Sequence, residues 1–370
     1  MNIRRIPTSQ ATPGMIAADD IYAFNDLLVI AKDTGLTDRI ITRLKFYSID
    51  ELSIFIHEDS DEAEISFEDE PTPEPFIDEM LYSKKIRESE EFKSFSKDFS
   101  ESVSTLSDSF HNISFNKTQI NCDDLLADCN KILSNSRNNL HLFDMLHCIR
   151  EYDDETYTHS INVALICHTI GNWINLSKEE NDILTLCGLL HDIGKVEIPE
   201  NIIKKPEKLT VEEYDLIKKH TLKGYQILKD QDIDIRIKHA ALLHHERCDG
   251  TGYPNGFTNR SINDFTKIVS IADVYDAMTS KRVYRGPLCP FEVIGIFENE
   301  EFSKYDPKYI LPFLTGIVQT YLHNDVILSN NRQGKIILIN NHNLTKPVVQ
   351  IGTEFVDLSK EPDLFIKEII

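Results

Sequence analysis

Two pairs of adjacent side chains with metal-ligand character stand out in this chain of 370 residues, His191-Asp192 and His244-His245. Imidazole and carboxylate are the groups that divalent first-row metals take from proteins. Neighbouring side chains on a helix point about 100° apart. Such a pair therefore does not close on one ion. It serves two neighbouring ions or one bridging position. His159 and His220 fall in stretches with helical spacing, and Asp273 lies inside Ile271-Ala-Asp-Val-Tyr-Asp276. A single helical histidine is more often structural; the joint pattern is what points to a multinuclear site. No Ser-His-Asp or Cys-His arrangement is evident, and no Gly-x-x-x-x-Gly-Lys-Ser/Thr phosphate loop.

The flanks of these pairs are specific. The dyad runs from Leu189-Leu190 into Ile193-Gly194-Lys195, and His220 opens His-Thr-Leu-Lys-Gly224. The tandem histidines open an eleven-residue string ending Asp249-Gly-Thr-Gly-Tyr-Pro254. Together with 271–285, these segments closely resemble the HD-GYP subgroup of the HD-domain phosphohydrolases over roughly 145–325. Lys281 and Val283 stand where the family often has Asp and Pro before Tyr284-Arg285.

The resemblance implies that His159, His191, Asp192, His220, His244, His245 and Asp273 ligate metal, with Asp192 as the bridge. It implies a cyclic dinucleotide substrate, typically cyclic di-GMP, hydrolysed to linear pGpG and/or GMP by a metal-bridging hydroxide. His191, Asp192 and Lys195 would then be catalytic. Glu155 sits four residues before His159, on the same helical face. In the family an acidic residue there resembles the arrangement that holds a third metal, so three ions are favoured over two. A nitrogen-rich set with carboxylate bridges suits iron or manganese, with zinc as a competitor, and the resemblance favours iron.

Substrate contacts are expected from Lys195, Tyr253, Arg282 and Arg285. Lys195 lies about one turn past the dyad, within reach of a phosphate oxygen. The two arginines suit a second phosphate or a guanine edge through their fork geometry. Tyr253 lies in a loop whose glycines permit tight backbone geometry, and it can stack on or bond to a base. Each has a plainer reading: a lysine on a helix dipole, solvated surface arginines, a structural loop tyrosine, one more surface glutamate at position 155. Asp249 is expected to organise its loop rather than ligate metal, and Asp192 to lie in an exposed cleft. Three other functions stay open: a phosphodiesterase for another cyclic dinucleotide, such as the mixed guanine–adenine ring, a non-catalytic cyclic dinucleotide receptor, and a mononucleotide phosphohydrolase.

The rest of the chain must position these groups. Lys plus Arg is 39 against 61 Asp plus Glu, a net charge of −22. Such a field repels duplex nucleic acid and anionic membranes, and bound cations would make the site itself attractive to an anion. No apolar run approaches the ~18 residues of a membrane span, and no apolar stretch follows Arg4-Arg5 to make a signal peptide. Seven scattered cysteines without a C-x-x-C pair read as reduced thiols, which predicts a cytoplasmic protein.

The expected fold is mainly α: an HD-type helical-bundle catalytic domain with a small N-terminal α/β module and a short C-terminal β-rich segment. Residues 1–56 form the module, with strand over 21–30 turning at Asn25-Asp26, helix over 37–47 and strand over 52–56. Residues 57–82 form an acidic, Pro-containing linker; 57–79 hold 11 carboxylates and no Lys or Arg. Residues 83–144 form a helical connector, whose apolar residues from Phe92 to Ile113 step by 3 and 4. That stripe packs on its own domain or seats a second copy, a homodimer through the 83–113 helix. The catalytic domain spans 145–325, with helical periodicity over 140–150, 156–175, 180–191, 211–229, 234–245, 265–279, 290–298 and 307–322. The segment 326–370 carries strands over 335–339, 347–351 and 354–358.

Overall fold

The structure, a computed structural model, describes residues 2–22, 28–30, 32, 34–36, 40–41, 44, 49, 51–56, 86–149, 155–205, 207–280, 287–299 and 302–370. The expected linker, 57–82, lies outside the described residues. The chain divides into two compact units, Met1–Phe76 and Ile77–Ile370.

In the first unit, β1 (Asn2–Pro7) pairs antiparallel with β4 (Glu51–Ile56) from Asn2↔Ile56 to Pro7↔Glu51. Between them in sequence, β2 (Ile21–Tyr22) pairs with β3 (Leu28–Ile30); the expected turn at Asn25-Asp26 lies outside the described residues. Ile40, Ile41 and Leu44 are helical, as the spacing predicts. Ile6, Ala17, Ile30, Leu36, Ile41, Leu44, Leu52 and Ile54 form the core. Strand β1 was not expected. Ile6 is buried but Ile3 is exposed and Arg4-Arg5 stand between them, so pairing with β4 makes the strand.

The second unit is mainly helical. Helix α1 (Glu90–Phe115) begins at Ser89, whose hydroxyl accepts from Phe92 N. Its residues Phe92, Phe95, Phe99, Leu106, Phe110 and Ile113 are buried. They face α2 (Cys122–Leu133) and later helices of the same unit. The stripe is thus occupied within the chain. Helix α3 (Asn139–Ile149) leads to α4 (Glu155–Trp173), which packs along α5 (Lys178–Leu190). Gly188 permits that approach: a Cβ there would stand 2.9 Å from Ala164 Cα.

After a 3-10 turn (Ile193–Glu197) come α6 (Glu200–Ile203), α7 (Val211–Lys218) and α8 (His220–Leu228). The periodic stretch 211–229 is therefore two helices broken at Lys219. The first carries the expected Thr210–Glu213 capping box. Helix α9 (Ile235–Leu243) precedes the Gly-Tyr-Pro loop. Helix α10 (Asp264–Thr279) then lies against α4 and α5. It is buried nearly all round, with Phe265, Ile268, Val269, Ile271, Ala272, Tyr275 and Met278 in the core. Carboxylates on such a helix are costly unless cations or donors meet them. Helices α11 (Pro290–Asn299) and α12 (Pro307–Thr320) complete the bundle.

The tail is an antiparallel sheet ordered β8-β7-β6-β5-β9. Its strands are β5 (Asp325–Leu328), β6 (Gln333–Leu338), β7 (Val348–Ile351), β8 (Glu354–Asp357) and β9 (Ile366–Ile369). The three expected strands are present as β6, β7 and β8. Strands β5 and β9 are additions that pair with each other, Val326 opposite Ile369. No helix among the described residues is long and apolar enough to cross a membrane.

Candidate metal centre

Four helix ends and one helix middle converge here. His159 lies in α4. His191 caps the C-terminus of α5, and Asp192 follows it at the head of the 3-10 turn. His220 is the first residue of α8, His244 caps the end of α9 with His245 beyond it, and Asp273 is mid-helix in α10. Gly194 brings the dyad against α8. A Cβ there would collide with the His220 carbonyl oxygen and Gly224 N, so only glycine allows this approach. His159, His191, Asp192, His220, His244 and Asp273 are buried and His245 is half-buried. Asp192, expected in an exposed cleft, is only 1% exposed; the helices that deliver its neighbours also cover it.

Asp192 is the hub. Its Oδ2 lies 3.3 Å from His191 Nε2 and 3.7 Å from His159 Nε2. Its Oδ1 lies 3.3 Å from His220 Nε2 and 3.7 Å from His244 Nε2. Each oxygen faces two imidazoles, the disposition of a carboxylate that bridges two ions. Asp273 is a second such group: Oδ1 is 3.0 Å from His159 Nε2 and Oδ2 is 3.8 Å from His245 Nδ1. Three triads bring their ligand atoms within 4.8 Å of one another: His220/His244/His245, His159/His191/Asp273 and His191/Asp192/His244.

The protonation pattern fits cations. Nδ1 of His191, His220 and His244 lies 2.7, 2.7 and 2.9 Å from the carbonyl oxygens of Gly188, Ile217 and Ala240. A carbonyl only accepts, so each Nδ1 carries a proton and Nε2 is the atom left to offer a lone pair. Yet the Nε2 atoms of His220 and His244 face each other at 3.2 Å. Two lone pairs at that distance repel unless a cation lies within reach of both. Buried His191 Nε2 and Asp192 Oδ1 likewise have no hydrogen-bond partner. Burial holds His244 and His245 well below the usual histidine range, reinforced by neighbouring imidazoles, and lowers His220 as well. Burial would raise Asp192 and Asp273. Lys195 and His191 outweigh it for Asp192, His159 and His245 for Asp273, and both carboxyls lie well below the usual range. Burial thus favours neutral His220, His244 and His245 beside charged Asp192 and Asp273, the forms that metals bind. His159 differs: burial would lower it but Asp273 and Asp276 raise it to about 9, so a metal there must displace its proton.

A surrounding layer orients these ligands, and the sequence reading assigned it no role. Asp276 accepts from His159 Nδ1 at 2.7 Å, Asn162 Nδ2 at 3.0 Å and Ser280 Oγ at 3.1 Å. Buried Glu246 accepts from Asn255 N at 2.7 Å and Phe257 N at 2.9 Å, which fixes the Gly-Tyr-Pro loop. The available signal was a carboxylate within an otherwise apolar stretch or beside a ligand pair. Asp249 organises the loop as expected, accepting from Thr251 N and Oγ1.

Of the expected substrate contacts, Lys195 donates from Nζ to Asp192 Oδ2 at 2.5 Å. The Tyr253 ring stacks on His245, centroids 4.6 Å apart at 26°. Burial and the nearby Tyr214 phenol push the Tyr253 phenol up, so it remains a proton donor. Glu155 opens α4 one turn before His159; its side chain lies outside the described residues. So do Arg282 and Arg285, within 281–286.

The HD-domain family profile matches residues 122–309, just over half of the chain. A cyclic di-GMP phosphodiesterase of Thermotoga maritima is 36% identical over 176 residues, which cover 47% of this chain and 48% of that protein. A 3'3'-cGAMP-specific phosphodiesterase of Vibrio cholerae is 39% identical over 145 residues, 39% of this chain and 34% of that one. The chain thus spans about half the length of the first relative and a third of the second. The solved structure of Bd1817, an HDG"Y"P protein from Bdellovibrio bacteriovorus, is similar at a TM-score of 0.49 and 16% identity, covering 86% of this chain and 100% of that one.

Proposed function

The chain belongs to the HD-domain family, in its HD-GYP subgroup, and on that premise we propose that it is a metal-dependent phosphodiesterase that hydrolyses cyclic di-GMP. The observation that carries this reading is the clustering of seven ligand-type side chains, four of whose imidazoles face Asp192 while His245 and Asp273 face each other. His159, His191, Asp192, His220, His244, His245 and Asp273 would hold two ions, and Glu155 a third. When bound, the ions supply a nucleophile near neutral pH and withdraw charge from the phosphate oxygens.

The remaining work falls to this chain's own groups. Asp192 would bridge, with His191 fixed by the Gly188 carbonyl. Lys195, at 20% side-chain exposure, can present its ammonium to a phosphate oxygen. Tyr253, held against His245, offers a ring and a phenol to a base. Arg282 and Arg285 would hold the second phosphate or a guanine edge. Iron suits the ligand set first and manganese second, and cleavage would yield pGpG and/or GMP. The seven free thiols support a reducing, cytoplasmic setting. A second copy on the 83–113 helix finds no support, because the apolar stripe is buried within its own unit.

The similarity to a 3'3'-cGAMP-specific enzyme keeps a second reading, in which the mixed ring is preferred. Incubating metal-loaded protein with cyclic di-GMP or 3'3'-cGAMP and separating the products by chromatography distinguishes the two. Faster conversion of cyclic di-GMP to pGpG or GMP is expected. Tight binding of both without turnover would mean a receptor, and turnover of mononucleotides alone would end the proposal.

A further inference from the structure

Arg247 follows the tandem histidines. Its Nη1 donates to the His244 carbonyl at 3.2 Å, the Glu246 carbonyl at 3.1 Å and Ser270 Oγ at 2.6 Å. Its guanidinium lies over the Tyr305 ring, 5.5 Å from the centroid. The His244 carbonyl belongs to the end of α9, where the last carbonyls lack partners within the helix and a cation is favoured. Ser270 stands one turn before Asp273 on the same helix. Arg247 therefore joins the two segments that face each other across the 3.8 Å gap between His245 Nδ1 and Asp273 Oδ2.

We propose that Arg247 is a positioning residue of the metal centre: it locks the His244–His245 turn against the helix that carries Asp273, and so sets the spacing of their ligand atoms. Strands or helices separated in sequence hold a spacing only as well as the bonds between them. Here one guanidinium nitrogen reaches two carbonyls and a hydroxyl while the planar group lies over the Tyr305 ring. A lysine ammonium carries the charge without that geometry. The inference rests on the metal-centre reading of the site but not on the identity of the substrate.

The test is Mn2+ titration of the metal-free full-length protein, with the free ion followed by electron paramagnetic resonance. Loss of an outer partner typically weakens metal binding by about 10- to 100-fold, and Arg247→Met should fall in that range. Arg247→Lys should recover little of it. Ser270→Ala should shift affinity in the same direction by less. The double variant should lose less than the product of the two single effects, because both remove one shared bond. At saturating Mn2+, the KM of Arg247→Met for cyclic di-GMP should stay near wild type. Wild-type Mn2+ affinity in Arg247→Met, or a raised KM with metal binding intact, would overturn the positioning role; the second result would make Arg247 a substrate contact. If Arg247→Met fails to fold, Ser270→Ala decides alone, and unchanged affinity there rejects the proposal. A wild-type chain that takes up no Mn2+ would reject the metal-centre reading and this inference together.

Discussion

Asp276 holds His159 by its Nδ1 at 2.7 Å and thereby aims Nε2 at Asp273, 3.0 Å away. The two carboxylates are three residues apart on one buried helix, and the single imidazole between them links both. One carboxylate faces the ligand cluster, and the other fixes the tautomer and orientation of a ligand. Asp276→Asn keeps the volume but removes the charge that favours a donating Nδ1. Metal affinity should fall about 10- to 100-fold while far-ultraviolet circular dichroism stays native. An isothermal titration giving wild-type affinity would show that His159 needs no such partner.

Asp192→Asn should abolish hydrolysis and lower bound metal, since a neutral carboxamide cannot bridge two cations. Asp192 is buried against Lys195. Lys195 can turn to solvent, so the helical fold should survive. Elemental analysis beside a product assay checks this, and near-normal turnover would remove Asp192 from the mechanism.

Gly194→Ala places a methyl against the backbone of His220 and Gly224. Overpacking of this kind costs about 1–3 kcal/mol. The strain falls between the dyad and His220, so metal content should drop together with the unfolding midpoint in urea. A variant as stable and as fully loaded as wild type would contradict the close approach.

The pH dependence of the metal-free protein follows from opposed histidines. Burial holds His220, His244 and His245 below the ordinary value of 6.5. Each contributes stability above that value that is lost as the pH falls, because the unfolded chain takes up protons the folded one refuses. His159 runs the other way: burial would lower it, but Asp273 and Asp276 raise it to about 9. Its contribution is complete below 6.5 and is lost as the pH rises through about 9. Three groups against one predict a melting temperature that falls from about pH 7.5 to about pH 5.5. Calorimetry on chelator-treated protein should show it, and a flat or rising value would mean these imidazoles are not buried neutral.

Arg285→Ala and Glu155→Ala separate substrate from metal. The first should keep its full metal complement and bind cyclic di-GMP roughly 10- to 150-fold more weakly, the loss of about 1.5–3 kcal/mol typical of a charge-assisted contact. The second should lose about one ion per chain, as an opened site does. Matched anaerobic preparations with elemental analysis and a dinucleotide titration read both. Unchanged affinity in the first or an unchanged metal ratio in the second would return that residue to the solvated surface.

The sequence by itself determined what depends on near neighbours along the chain. The Thr210–Glu213 capping box, the helical stretches and the strands β6 to β8 are local patterns, and each appears in the fold. The two adjacent pairs were legible because their types and spacing are unusual, whereas the full set of seven proposed ligands came from the family resemblance of the flanking strings; the structure brings all seven together. Tertiary structure decided the rest. His159 and Asp273 are 114 residues apart, so nothing in either segment states which oxygen of a carboxylate faces which imidazole. The work of Asp276, Glu246 and Arg247 was not legible, because a buried polar residue takes its role from whatever donor or acceptor the packing places beside it. The same holds for β1 and for the β5–β9 pair, which form on partners distant in sequence. The α1 stripe announced an apolar face, but only helix packing showed that its own unit covers it. Spacing records which groups are available; desolvation and orientation arise when separated helices close on one another.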